Sequence, residues 1–206
     1  MDLVNQIIAV NPEFSLMETK EKLFLNERVS KVFFQKNQTI IFEGDQPFDI
    51  FVIRAGFGFV CKQNRDGRRV ILSFCSQGFI LGDMSVFMQG ERSATVVAAT
   101  DMECIRLRGA SFETMLEFAP KFVKVIMEQH IKSILGFDTR LMALSEKRTA
   151  ASFDNLIDHL SQVIGKPINS LKDIPFKLSQ EVIADYCCVS REAVSRYISK
   201  NRKNLI

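Results

Sequence analysis

The chain has 206 residues, 47% of them hydrophobic and 25% charged, a composition that supports a packed core in one or two domains and excludes extended disorder. Twenty-seven basic against 24 acidic residues leave a net charge of only +3, which says nothing about a polyanion partner until the placement of the charge is read. No stretch reaches eighteen uninterrupted apolar residues and the segment MDLVNQ lacks the basic and apolar regions of a signal peptide, so the expected location is cytoplasmic, with no membrane partner.

From about residue 31 to 108 the chain reads as short strands. Thr39-Ile40-Ile41-Phe42, Ile50-Phe51-Val52-Ile53, Gly58-Phe59-Val60-Cys61, Val70-Ile71-Leu72-Ser73 and Ala94-Thr95-Val96-Val97 are apolar or β-branched runs. Gly44, Gly56, Gly67, Gly78 and Gly90 punctuate them with the turn rhythm of a sandwich or barrel, and Asn64-Arg65-Asp66-Gly67 is the strongest hairpin signal. A jelly roll is expected here.

The period then changes. Ser111 to Phe118 suggests a short helix closed by Pro120, after which Val123, Met127, His130, Ile134, Phe137, Leu141 and Leu144 follow at alternating spacings of 4 and 3. Such a heptad seam favours pairing with another helix, and a lone long helix finds its partner in a second copy. Met127, His130, Ile134, Phe137, Leu141 and Leu144 are the expected dimer interface, with His130 as a polar register-setting residue.

Beyond Arg148 an amphipathic helix is expected from Ala150 to Ile164, followed by a loop through Pro175. In the terminal block Ser179 and Ser190 stand as N-caps of two short helices separated near Cys188 and Val189. Ile183, Cys187, Val189, Val194 and Tyr197 fall where a helix-turn-helix buries side chains around the small Ala184, although Cys188 occupies the turn position that glycine usually holds. Residues 186–206 hold Arg191, Arg196, Lys200, Arg202 and Lys203 against Glu192, a net charge of +4, while the rest of the chain is at −1. The excess positive charge therefore sits on the second helix and beyond it, as a DNA-facing surface requires. Arg191 with Ser195, and Glu192 with Arg196, share one helix face; arginine can bond guanine O6 and N7 together and glutamate accepts from cytosine N4. Arg191, Glu192, Ser195, Arg196, Ser179 and Lys200 form the expected DNA-contacting set.

The order of parts, together with Ile53-x-x-Gly56, Gly82-Asp83, Gly90-Glu91-Arg92-Ser93-Ala94 and Ser190-Arg191-Glu192-Ala193-Val194-Ser195-Arg196, resembles the CRP/FNR family of bacterial transcription regulators over essentially the whole chain. The resemblance implies an α+β architecture: an N-terminal double-stranded β-helix (jelly-roll) barrel with flanking helices at 1–119, a dimerisation helix at 120–147, and an all-α helix-turn-helix domain at 148–206, whose usual wing is either lacking or truncated away. It implies a homodimer on a palindromic site with TGA half-sites, and RNA polymerase as a partner. In cyclic-nucleotide-binding members the residues matching Arg92 and Ser93 hold the cyclic phosphate, and a glutamate at the place of Asp83, after Gly82, holds the ribose. The effector is accordingly cAMP, cGMP, another small molecule or none, and no cofactor is firmly implied. The alternatives are a constitutive regulator with an empty barrel and, from another class, a cupin-like metal enzyme. Against the enzyme stand the absence of clustered metal-ligating histidines in the barrel and of any nucleophile, base and orienter set, so no catalytic or metal residues are expected. Cys61, Cys75, Cys104, Cys187 and Cys188 lack C-x-x-C spacing and read as reduced thiols rather than metal ligands or a disulfide framework.

Overall fold

The computed structural model describes residues 2–201. Before the first strand lie α1 (Leu3–Val10), a 3-10 turn at Pro12–Leu16 and α2 (Thr19–Asn26). Each helix has its own start signal: the Asp2 carboxylate accepts from the Val4 N–H at 3.0 Å, and Glu18 with Glu21 forms a capping box at α2. Their apolar faces place Val4, Ile7, Phe14 and Leu25 in the core.

Eight strands follow: β1 (Val29–Phe34), β2 (Thr39–Ile41), β3 (Asp49–Ala55), β4 (Gly58–Gln63), β5 (Arg69–Cys75), β6 (Ile80–Leu81), β7 (Thr95–Ala98) and β8 (Met102–Arg108). They form two four-stranded sheets, β1-β8-β3-β6 and β2-β7-β4-β5, a jelly-roll arrangement that is not a closed barrel. Strand β8 is the centre of the first sheet, running antiparallel to β1 from Val29↔Leu107 to Phe34↔Met102 and to β3 from Asp49↔Arg108, with a bulge between Ile53 and Ala55.

The helices are α3 (Asp83–Phe87), α4 (Gly109–Phe118), α5 (Pro120–Ser145), α6 (Thr149–Ile164), α7 (Gln180–Cys187) and α8 (Arg191–Lys200). Proline at the first position of α5 ends α4 without interrupting a helix interior. Phe122 of α5 meets Phe14 and Phe112 edge to face at 5.7 and 5.6 Å, closing a core that leaves a cavity of only about 10 Å³ beside these rings. Such ring pairs add about 0.5–1.5 kcal/mol each to the area they bury.

Two compact units emerge. One holds the described residues up to Phe59 together with Cys75–Lys132; the other holds Val60–Phe74 and the described residues from Ser133 onward. The second unit thus contains most of the β4–β5 hairpin as well as the C-terminal helices, whereas the sequence suggests boundaries near 120 and 148. No helix is long and apolar enough to cross a membrane among the described residues.

Candidate nucleic-acid interface and effector pocket

In the second unit, Ser179 caps α7 by accepting from the Val182 N–H at 3.1 Å, and Ser190 caps α8 by accepting from the Ala193 N–H at 3.2 Å. Between them Cys188 adopts φ 54°, ψ 38°, the left-handed conformation that normally calls for glycine, and the chain reverses with the Val189 N–H on the Ala184 carbonyl at 3.2 Å. The turn geometry is kept without the glycine, at a backbone cost.

Ile183, Cys187 and Val194 are buried; Val189 and Tyr197 are half-buried, and Ile198 joins the core as a residue the sequence pattern did not single out. The Tyr197 ring lies 4.4 Å from Phe153 of α6, and Tyr186 donates its hydroxyl to Asn155 at 2.9 Å. With one face fixed this way, α8 turns Arg191, Glu192, Arg196 and Lys200 to solvent, with Ser195 half-buried beside them and Ser179 exposed at the start of α7. The Glu192 carboxyl is held below its usual pKa by its own backbone N–H at the start of α8 and by the Ser190 hydroxyl, so it is an acceptor at neutral pH. Arg202 and Lys203 lie outside the described residues.

The network behind this helix pair leaves no local signal in the sequence. Arg140 of α5, almost fully buried, donates from Nη1 to the Leu72 carbonyl of β5 and from Nη2 to the Tyr186 carbonyl in the last turn of α7, both at 2.8 Å. Its guanidinium lies 4.4 Å from the Tyr186 ring centroid. His159 stacks on the same ring at 5.7 Å, and its Nε2 accepts from the Phe74 N–H at 3.1 Å, which requires that nitrogen to be unprotonated. Burial, reinforced by the Arg140 charge, pushes the imidazole down to about 4.

The effector-pocket residues occupy the first unit. Gly82, at φ +84°, caps α3, and a Cβ there would strike Arg92. Arg92 is buried: Nη1 donates to the Gly82 carbonyl at 2.6 Å and the Ser85 hydroxyl at 2.9 Å, and Nη2 to the Asp49 carbonyl. Burial lowers its pKa while the charges of Asp49, Asp45 and Asp83 oppose that shift. Asp83, also buried, pairs with His130 Nε2 at 2.8 Å, and this bond raises the histidine's pKa. Ser93 is exposed and apart from this cluster. Three of the five guanidinium N–H donors of Arg92 are thus engaged by protein oxygens, while Ser93, the other residue of the expected phosphate pair, is exposed. Ser85, absent from the sequence expectation, takes the hydroxyl position on Arg92.

Along α5 the expected seam separates. Met127, Ile134, Phe137 and Leu141 are exposed and are joined by Ile131, Leu135 and Met142, an apolar stripe broader than the heptad pattern implied. Val123 and Leu144 are half-buried, and His130 is turned to Asp83 instead of standing among the exposed apolar side chains. Next to it, Gln129 both accepts from the Ile80 N–H at 2.7 Å and donates to the Ile80 carbonyl at 2.9 Å, completing the edge of strand β6. Among the described residues no group of three or more His, Cys, Asp or Glu side chains could hold a metal ion.

A jelly roll with a buried arginine beside a short capped helix, followed by a long helix and a helix-turn-helix pair, is the order of parts of a DNA-binding transcription regulator. Residues 31–117 match the cyclic nucleotide-binding domain family. The chain is 24% identical over 175 residues to the cAMP-activated global transcriptional regulator CRP of Salmonella typhimurium, covering 80% of this chain and 79% of that one. It is 19% identical over 196 residues to the CRP-like cAMP-activated global transcriptional regulator of Mycobacterium tuberculosis, covering 95% and 88%. Among solved structures, the c-di-GMP responsive global regulator CLP of Xanthomonas campestris has the same fold, with a TM-score of 0.75 at 16% identity and coverage of 90% and 92%. FixK2 of Bradyrhizobium japonicum aligns with a TM-score of 0.70 at 16% identity, covering 85% of each chain. Residues 31–117 thus form a cyclic nucleotide-binding domain, and over most of its length the chain is similar to CRP-like transcription regulators.

Proposed function

We propose that this regulator acts as a homodimer that reads a palindromic site with TGA half-sites through Arg191, Glu192, Ser195 and Arg196, with Ser179 and Lys200 on the backbone. The observation that carries the reading is the face of α8: its bonding groups point to solvent while Val194 and Ile198 anchor the opposite side. The exposed apolar stripe of α5 supplies the surface for a second copy, and two copies related by a two-fold axis match a palindrome. RNA polymerase is the partner through which binding acts on transcription, in the cytoplasm, and the chain is not an enzyme. The domain scheme is a sensor at 1–119, a dimer helix at 120–147 and a reading head at 148–206.

Two regulatory readings follow. In the first, an effector at the jelly roll shifts the α5 helices and so the reading heads, by no more than its differential affinity for the two arrangements. In the second, the regulator is constitutive with an empty barrel, and Arg92 keeps its bonds to the Gly82 carbonyl and the Ser85 hydroxyl throughout. Calorimetry with cAMP and cGMP separates them: a saturable heat abolished by Arg92→Ala supports nucleotide sensing. No heat, with full DNA affinity in the nucleotide-free protein, supports constitutive binding.

A further inference from the structure

The β4–β5 hairpin carries Lys62, Arg65, Arg68 and Arg69 against one acid, Asp66, within eight residues. Its tip is a fixed turn. The Asn64 side-chain oxygen accepts from the N–H groups of Asp66 and Arg68 at 3.0 and 2.9 Å, and two backbone bonds, Asn64 N–H to Arg68 and Gly67 N–H to Asn64, close the loop. Lys62, Arg65 and Arg68 are exposed.

Arg69 turns the other way, onto α7, where its Nε donates to Asp185 at 2.7 Å and its Nη2 lies 3.9 Å from Glu181. Further along the same strand, Leu72 shares Arg140 with Tyr186, and the Phe74 ring lies 5.4 Å from that of Tyr186. Both ends of this part of β5 therefore meet the C-terminal half of α7, at Asp185 and Tyr186, and Arg69, nearest the tip, also reaches toward Glu181 in the first turn. The tip directly precedes Arg69 in the chain, so the Arg69 contacts tie the base of the turn to α7. In a helix-turn-helix the first helix crosses the DNA backbone, and helix N-termini are where phosphates are met.

We propose that the hairpin tip is a second DNA-backbone contact, with Arg65 and Arg68 on phosphates flanking the bases that α8 reads. This rests on the DNA-reading function proposed above. Arg69 is a positioning residue: it aims the turn and neutralises Asp185 and Glu181, two charges that would otherwise repel phosphate close to the contact. The rigid turn limits the ordering entropy on binding.

The test compares the full chain with R65A/R68A by fluorescence anisotropy on a TGA palindrome and on a scrambled duplex, each across a salt series. Both residues are exposed, and an unchanged melting temperature verifies the fold of the variant. The expected result is roughly tenfold or greater weakening on both duplexes at 100 mM salt, with the log–log salt slope reduced by about 0.9 per lost contact, about 3.6 for a dimer. Shortening the duplex flanks should erase the difference between wild type and variant. Unchanged affinity and slope in R65A/R68A, beside a wild type that prefers the palindrome, overturn the hairpin contact and leave the DNA reading intact; the tip then suits an acidic protein surface instead. A wild type that binds neither duplex overturns both.

Discussion

Replacing Arg140 with alanine should loosen the reading head without touching any DNA-facing group. Arg140 serves two carbonyls that have few other options: Leu72 lies on β5, the edge strand of its sheet, and Tyr186 lies in the last turn of α7, where helix carbonyls lack intrahelical donors. Each buried carbonyl left without a donor costs about 1–3 kcal/mol, and the lost stacking on Tyr186 about 0.5–2 kcal/mol. Removing a buried charge returns part of its desolvation cost, leaving a net loss of about 2–4 kcal/mol. For a chain of this size that lowers the melting temperature by about 5–15 °C. Thermal unfolding followed by circular dichroism reads this directly. Arg140→Lys should recover only part of the loss, because a point donor cannot span two carbonyls as the guanidinium fork does. An alanine variant that melts within a degree of wild type would refute the assignment of Arg140 as the link between α5, β5 and α7.

Four further outcomes follow from the same geometry. Cys188→Gly should stabilise the protein by about 0.5–1 kcal/mol, since glycine adopts the left-handed turn without the side-chain clash; urea midpoints measure it, and a lower midpoint contradicts it. His159 has a folded-state pKa of about 4 against 6.5 unfolded, so its contribution is present above pH 6.5 and is lost as pH falls through 4, about 3 kcal/mol in full; His159→Gln, whose carbonyl can still accept from Phe74, should flatten that acid limb. His130 has the opposite sign: its raised pKa stabilises fully below 6.5 and fades as pH rises through the folded value, so His130→Asn should remove a decline on the alkaline side. Arg196→Ala should cost about 1–3 kcal/mol of DNA affinity and relax preference at one base pair, which competition with single-base variants of the site measures.

Local chemistry explains which features were legible from the sequence. Glycine turns mark strand ends, the alternating 4 and 3 spacing from Val123 to Leu144 marks one helix face, and Ser179 and Ser190 mark two helix starts, because each signal acts within a few residues. Helices α1 and α2 are eight residues each and too short to show a repeated period, and β6 has two residues and depends on Gln129, 49 positions away, to complete its edge. The pocket followed the same division. The Gly82, Asp83 and Arg92 motif was readable, and these residues do lie together, but the inward commitment of Arg92 depends on Asp49 and Ser85, and that of Asp83 on His130. Arg140 was invisible because its partners stand 68 and 46 positions away, and a lone charge on an amphipathic helix ordinarily signals a solvated face.

The central claim is that α8 reads base pairs in a palindromic site. Equilibrium titration of the purified, nucleotide-free protein against a duplex with two TGA half-sites and against a scrambled duplex of equal length, at one fixed salt concentration, tests it most directly. The account predicts a preference of about 10³ or more for the palindrome, sharply reduced by Arg196→Ala. Equal dissociation constants for the two duplexes would contradict it.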